Sequence, residues 1–114
     1  MMRVRDLKTI LVPLELSGRT FNIAFDFNCM CELDEVYGDF DIAIKAIDSG
    51  KGRLKAIRAL IYSAIKPRYE DITLLEVGDL LTDVMRDTKK AEYLMQQIDK
   101  ALTLSMPDKE EVGE

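Results

Sequence analysis

A single change of hydrophobic period at Asp26 limits this chain more than any other feature. Before it, Phe21, Ile23 and Phe25 alternate with Thr20, Asn22 and Ala24, the period of two that marks a half-buried strand. After it, apolar residues recur at spacings of three and four as far as Leu104, which is the period of a helix. The alternating run is preceded by Lys8–Leu16, rich in Thr, Ile, Leu and Val, and Ser17-Gly18 between them is a turn signal. The two segments therefore read as one β-hairpin. A lone hairpin is barely stable in water, so its apolar face must rest on helices. The expected class is α+β and mostly helical: an N-terminal β-hairpin followed by about four to five packed α-helices. Pro13 cannot donate to a ladder, which puts it on an edge strand or at a bulge.

The helices are delimited by their end signals. Asp26 or Asn28 caps the first, which runs to Tyr37 and ends at Gly38, with Phe27, Met30, Leu33 or Cys31, and Tyr37 facing in. Asp39–Ile47 is a short helix burying Phe40, Ala43, Ile44 and Ile47, followed by a Ser49–Gly52 loop. Arg53–Ile65 is the third helix, with Leu54, Ile57, Ile61, Ala64 and Ile65 inward and Pro67 as its stop. Thr73-Leu74-Leu75-Glu76 is a capping box in which the glutamate reaches back. It opens a helix burying Leu74, Val77, Leu80, Leu81 and Val84. Asp87-Thr88 opens the last helix, Lys89 to about Leu104, whose stripe is Ala91, Leu94, Met95, Ile98, Ala101 and Leu102. Residues 1–107 are expected to form one globular domain, with a loose start at Met1–Asp6, and 108–114 an acidic disordered tail.

Length and charge narrow the function. The 114 residues make one domain with enough core to fold without staples. No apolar run nears the ~20 residues of a membrane span, and the basic start is not followed by a signal-peptide core, so a cytoplasmic location is expected. The net charge of -5 argues against a generic nucleic-acid binder. The chain has no histidine, which removes Ser-His and Cys-His nucleophile pairs. The carboxylates Glu32, Asp34, Glu35, Asp39 and Asp41 match exposed helix faces and a cap. Cys29 and Cys31 lack the further ligands that a zinc site needs and read as buried structural thiols. The Ser49-Gly50-Lys51-Gly52-Arg53 stretch lacks the spacing of a phosphate-binding loop. A basic face of Lys51, Lys55 and Arg58, with Arg53 and Lys66 nearby, reads as solvated, with an acidic protein surface as the next reading. The expectation is a protein that binds other proteins, is not an enzyme, and needs no cofactor or metal. Methionine adapts to varied partners, so Tyr93, Leu102, Leu104 and Met106 at the last helix are the candidate partner-binding residues.

Several stretches also carry a resemblance. Phe25-Asp26-Phe27-Asn28 after a hairpin leads to a helix ending at Tyr37-Gly38. A Leu/Ile-rich helix follows from Arg53-Leu54 to Ile65, then Ile72-Thr73-Leu74-Leu75-Glu76-Val77-Gly78-Asp79-Leu80-Leu81, and finally Ala101-Leu102 and Ser105-Met106-Pro107. From about Lys8 to Pro107 the chain resembles the tail assembly chaperones of long, flexible-tailed bacteriophages and their prophages. The resemblance implies binding to the tape measure protein, in multiple copies, in the host bacterial cytoplasm, with no retention in the mature virion. It also implies a longer form made by ribosomal frameshifting that recruits the tail tube protein; this chain would be the short form. Self-association fits that picture, and nucleic acid and membrane do not enter it. Two other readings stay open on the residues alone: a structural phage protein such as a head–tail connector, and a small DNA-binding regulator.

Overall fold

A computed structural model describes residues 11–105 and shows an α+β domain, an antiparallel hairpin followed by five helices. Strands β1 (Val12–Leu16) and β2 (Arg19–Ile23) pair in unbroken register, Val12 opposite Ile23 and Leu16 opposite Arg19. Ser17 (φ 50°) and Gly18 (φ 82°) both have positive φ, as a two-residue hairpin turn of matching twist requires. The strand pattern predicted through Phe25 stops at Ile23, although Ala24 and Phe25 are also buried. Pro13 needs no bulge. It faces Asn22 at a pair where β2 turns its N–H outward, and that N–H donates to Tyr69 Oη at 3.0 Å. On the other edge, the N–H of Glu15 donates to Tyr93 Oη at 3.4 Å. Two tyrosines thus cover the strand edges that would otherwise invite pairing with another chain.

The inner face of the hairpin, Val12, Leu14, Leu16, Phe21 and Ile23, is fully buried. It lies on α3 (Arg53–Ile65) and α5 (Thr88–Ser105), with α1 (Phe27–Val36), α2 (Phe40–Ser49) and α4 (Leu74–Met85) packed around α3. Because α3 has neighbours on most sides, it buries far more than one stripe: Ala56, Ile57, Ala59, Leu60, Ile61, Ser63, Ala64 and Ile65. Its predicted inward residue Leu54 is instead 71% exposed, since it sits in the first turn, where α4 flanks it without covering it.

Helix phase corrects other expectations. In α1 the buried residues are Cys29 and Leu33, so Phe27, nearly opposite on the wheel, is 78% exposed rather than inward. Cys31 is exposed for the same reason, so only one of the two thiols is buried. Leu74 and Leu80, predicted inward, are half-buried, and Met85 is exposed. Asp26 caps α1, its Oδ1 accepting from the N–H of Cys29 at 3.0 Å. Thr73 Oγ1 accepts from the N–H of Glu76 at 3.1 Å, but the Glu76 carboxylate does not close the capping box. It takes Arg19 Nη1 at 2.7 Å instead, tying α4 to the hairpin. Asp87 Oδ1 caps α5 through the N–H groups of Lys89 and Lys90. The loose start, the first residues of the predicted strand (8–10), Met106 and the acidic tail lie outside the described residues.

Ser63 is the one fully buried polar residue in the described core, and its Oγ has no hydrogen-bond partner there. A buried hydroxyl left unpaired costs about 1–3 kcal/mol. Ser63→Ala is therefore expected to raise stability by roughly 1 kcal/mol, seen as a higher urea midpoint at unchanged slope. A loss of stability would show that the hydroxyl is satisfied in solution.

Candidate protein-binding grooves

The helix phases leave several large apolar side chains outside, and two of them, Leu54 and Met85, line a groove between α3 and α4. The groove encloses about 290 Å³ and is lined by Leu54, Lys55, Ile57, Arg58, Gly78, Leu81, Thr82 and Met85. Ile57 and Leu81 are buried and form its floor, while Leu54 (71% exposed) and Met85 (43%) stand at its sides. Leu75, 73% exposed, shares the α4 face of Gly78, Thr82 and Met85 by helical spacing. This is the concave, mostly apolar surface that an amphipathic helix needs.

Gly78 is informative here. A glycine inside a helix costs about 0.5–1 kcal/mol relative to alanine. Packing within the domain does not require it, because an added Cβ would meet only the Arg58 side chain, at an ordinary 3.5 Å. What the missing side chain does provide is bare helix backbone in the wall of the groove, where a partner can approach closely.

A second groove, about 360 Å³, lies between α2 and α5 and is lined by Ile44, Ile47, Met95, Ile98 and Leu102, with Asp48, Gln96 and Asp99 alongside. The rims of the two grooves differ in sign. Lys55 and Arg58 flank the first, and neither has a carboxylate partner among the described residues. Asp48 and Asp99 flank the second.

The candidate residues of α5 do not form one site. Tyr93 is engaged with the edge of β1 and is 37% exposed. Leu104 is on the same side of the helix, 42% exposed. Leu102 points the other way, half-buried, into the α2–α5 groove. Met106 lies outside the described residues. The pattern placed Leu54 inward and singled out neither Leu75 nor Met85 as a binding residue. The available signal was the surplus of apolar residues on α4, more than one inward stripe can bury.

Of the clustered carboxylates, Asp39 caps α2 and Asp34, Glu35 and Asp41 are exposed. No group of three or more metal-ligating side chains occurs among the described residues, and no helix there is long and apolar enough to cross a membrane. Burial pushes the Cys29 thiol up to about 12, with the carboxylate of Asp26 adding to the effect. Its reactive thiolate is therefore suppressed. A thiol reagent at mildly alkaline pH is expected to label Cys31 alone in the folded chain and both cysteines in denaturant, as read by mass spectrometry. Labelling of Cys29 in the folded chain would contradict its burial. The raised value also fixes a sign: Cys29 favours the folded state below the ordinary thiol range, and that contribution is lost as pH climbs towards about 12.

Compared with known protein families, curated proteins and solved structures, the chain matches none.

Proposed function

We propose that this chain is a phage tail assembly chaperone that holds the tape measure protein through the α3–α4 groove. The observation that carries the reading is the open apolar groove of Leu54, Ile57, Leu81 and Met85, with backbone bared at Gly78. A chaperone for a long amphipathic protein must offer such a surface and itself stay soluble, which a net charge of -5 assists. The sequence resemblance supplies the identity of the client. Repeated weak contacts along a long partner would let the coat be stripped when tail tube subunits, recruited by an extended form, polymerise. In this reading the chaperone acts in the host bacterial cytoplasm and is missing from purified virions.

The test is co-expression with the tape measure protein encoded by the same phage genome, followed by co-purification. Leu54→Asp with Met85→Asp is expected to abolish capture while leaving the helical circular dichroism intact, since both residues are exposed. Gly78→Ala is expected to stabilise the fold by about 0.5–1 kcal/mol and yet weaken capture, a combination that unfolding cannot produce. Full capture by the Leu54/Met85 variant would remove the groove from the reading. No capture by the unaltered chain would sink the chaperone assignment.

A further inference from the structure

Resting on that reading, we infer that the client segment seated in the α3–α4 groove is an amphipathic helix whose apolar seam is flanked by carboxylates. The groove lies between two helices, and its α4 wall runs from Gly78 to Met85, about 10 Å of helix axis. That length matches two turns of a client helix, which would place apolar residues at i, i+3 or i+4, and i+7 over Ile57 and Leu81. Lys55 and Arg58 stand on the rim with no carboxylate partner among the described residues, and the exposed Lys51 and Arg53 lie just before them in sequence. A chain of net charge -5 thus keeps uncompensated cations beside an open apolar groove. A Lys- or Arg-flanked helix would set like charges against this rim, whereas a Glu- or Asp-flanked one completes it. The α2–α5 groove, with Asp48 and Asp99 on its rim, has the opposite preference.

The rim and the chain as a whole carry opposite charge, so two peptides separate their effects. Two fluorescent synthetic helical peptides share one leucine seam, one carrying glutamate and the other lysine on its flanks. Each is titrated with the full chain at low and at high salt. Overall charge favours the lysine peptide; with the lower salt set at about 0.1 M, screening confines charge effects to within about 10 Å and the rim favours the glutamate peptide. Expected is at least about tenfold tighter binding of the glutamate peptide. That preference should shrink at high salt and be lost or inverted in Lys55→Glu/Arg58→Glu. Lys55→Glu alone, at an exposed position, gives a smaller change in the same direction and covers the case in which the double variant misfolds. Equal affinities would overturn the inference. So would tighter binding of the lysine peptide that disappears in Asp48→Lys/Asp99→Lys, which would move the seat to the α2–α5 groove. The unaltered chain is also tested against the tape measure protein itself. Failure there overturns the chaperone reading, and the peptide comparison still decides the preference of the groove.

Discussion

Phe21→Ala is expected to lower the stability of the domain by about 3–5 kcal/mol. Phe21 is 1% exposed and faces Leu14 across the hairpin. Its ring meets Tyr69 edge-on, with centroids 5.1 Å apart at 84°, and the Arg19 guanidinium lies 4.8 Å above it. Tyr69 in turn accepts the outward N–H of Asn22, so this ring holds both the inner face and the outer edge of β2. Truncation removes a large apolar side chain and leaves a cavity that a two-stranded sheet cannot close by itself. A domain of this kind has a total stability of only about 5–15 kcal/mol, so the loss is a large share of it. Urea unfolding followed by circular dichroism measures it directly. Phe21→Leu, which keeps most of the volume, should cost less than about 1.5 kcal/mol, and Thr20→Ala on the exposed face about 0.5 kcal/mol or less. A loss below about 1 kcal/mol for Phe21→Ala would mean that the hairpin is not anchored through this ring.

The parts of this fold that were readable in the sequence are those fixed by local chemistry. Ser17-Gly18 sets the hairpin register, because a two-residue turn with positive φ admits little else. Gly52 and Pro67 bracket α3, and its bounds at Arg53 and Ile65 agree with the pattern. Asp26, Asp39, Thr73 and Asp87 each cap the helix that follows. The failures concern how much of a helix its neighbours cover. Periodicity assigns α1 a stripe through Phe27, but which of two possible stripes faces in depends on how α1 lies against α3. It also assigns α3 one face, whereas a helix with neighbours on most sides buries eight of its residues, from Ala56 to Ile65, and leaves Lys55 outside. The groove was illegible for a related reason. Leu54 belongs to α3 and Met85 to α4, so the concave surface they share exists only once the two helices are packed. The capping box failed through competition: Arg19, 57 residues away from Glu76, offers its carboxylate a charged partner.

Asp26→Ala is expected to cost about 2–4 kcal/mol, because a helix cap and an ion pair share that side chain. One oxygen caps α1 through the N–H of Cys29. The other accepts from Arg68 Nη2 at 2.9 Å, in a pair whose side chains are only 17% and 26% exposed. The cap contributes about 1 kcal/mol. The remainder is the cost of leaving a largely buried guanidinium without its counter-charge, in a place where its Nη1 is already buried and unpartnered. Three variants separate these contributions by urea unfolding. Asp26→Asn retains an oxygen that can cap but loses the charge, so it should fall between wild type and Asp26→Ala. Arg68→Met keeps the cap, and the carboxylate it leaves behind still accepts from the N–H of Cys29 at the positive end of α1, so it should fall closest to wild type. The predicted order is therefore asymmetric: losing the acid costs more than losing the base, although both break the same ion pair. Equal losses for Asp26→Asn and Arg68→Met would show that the attraction itself, and not the stranded cation, sets the cost.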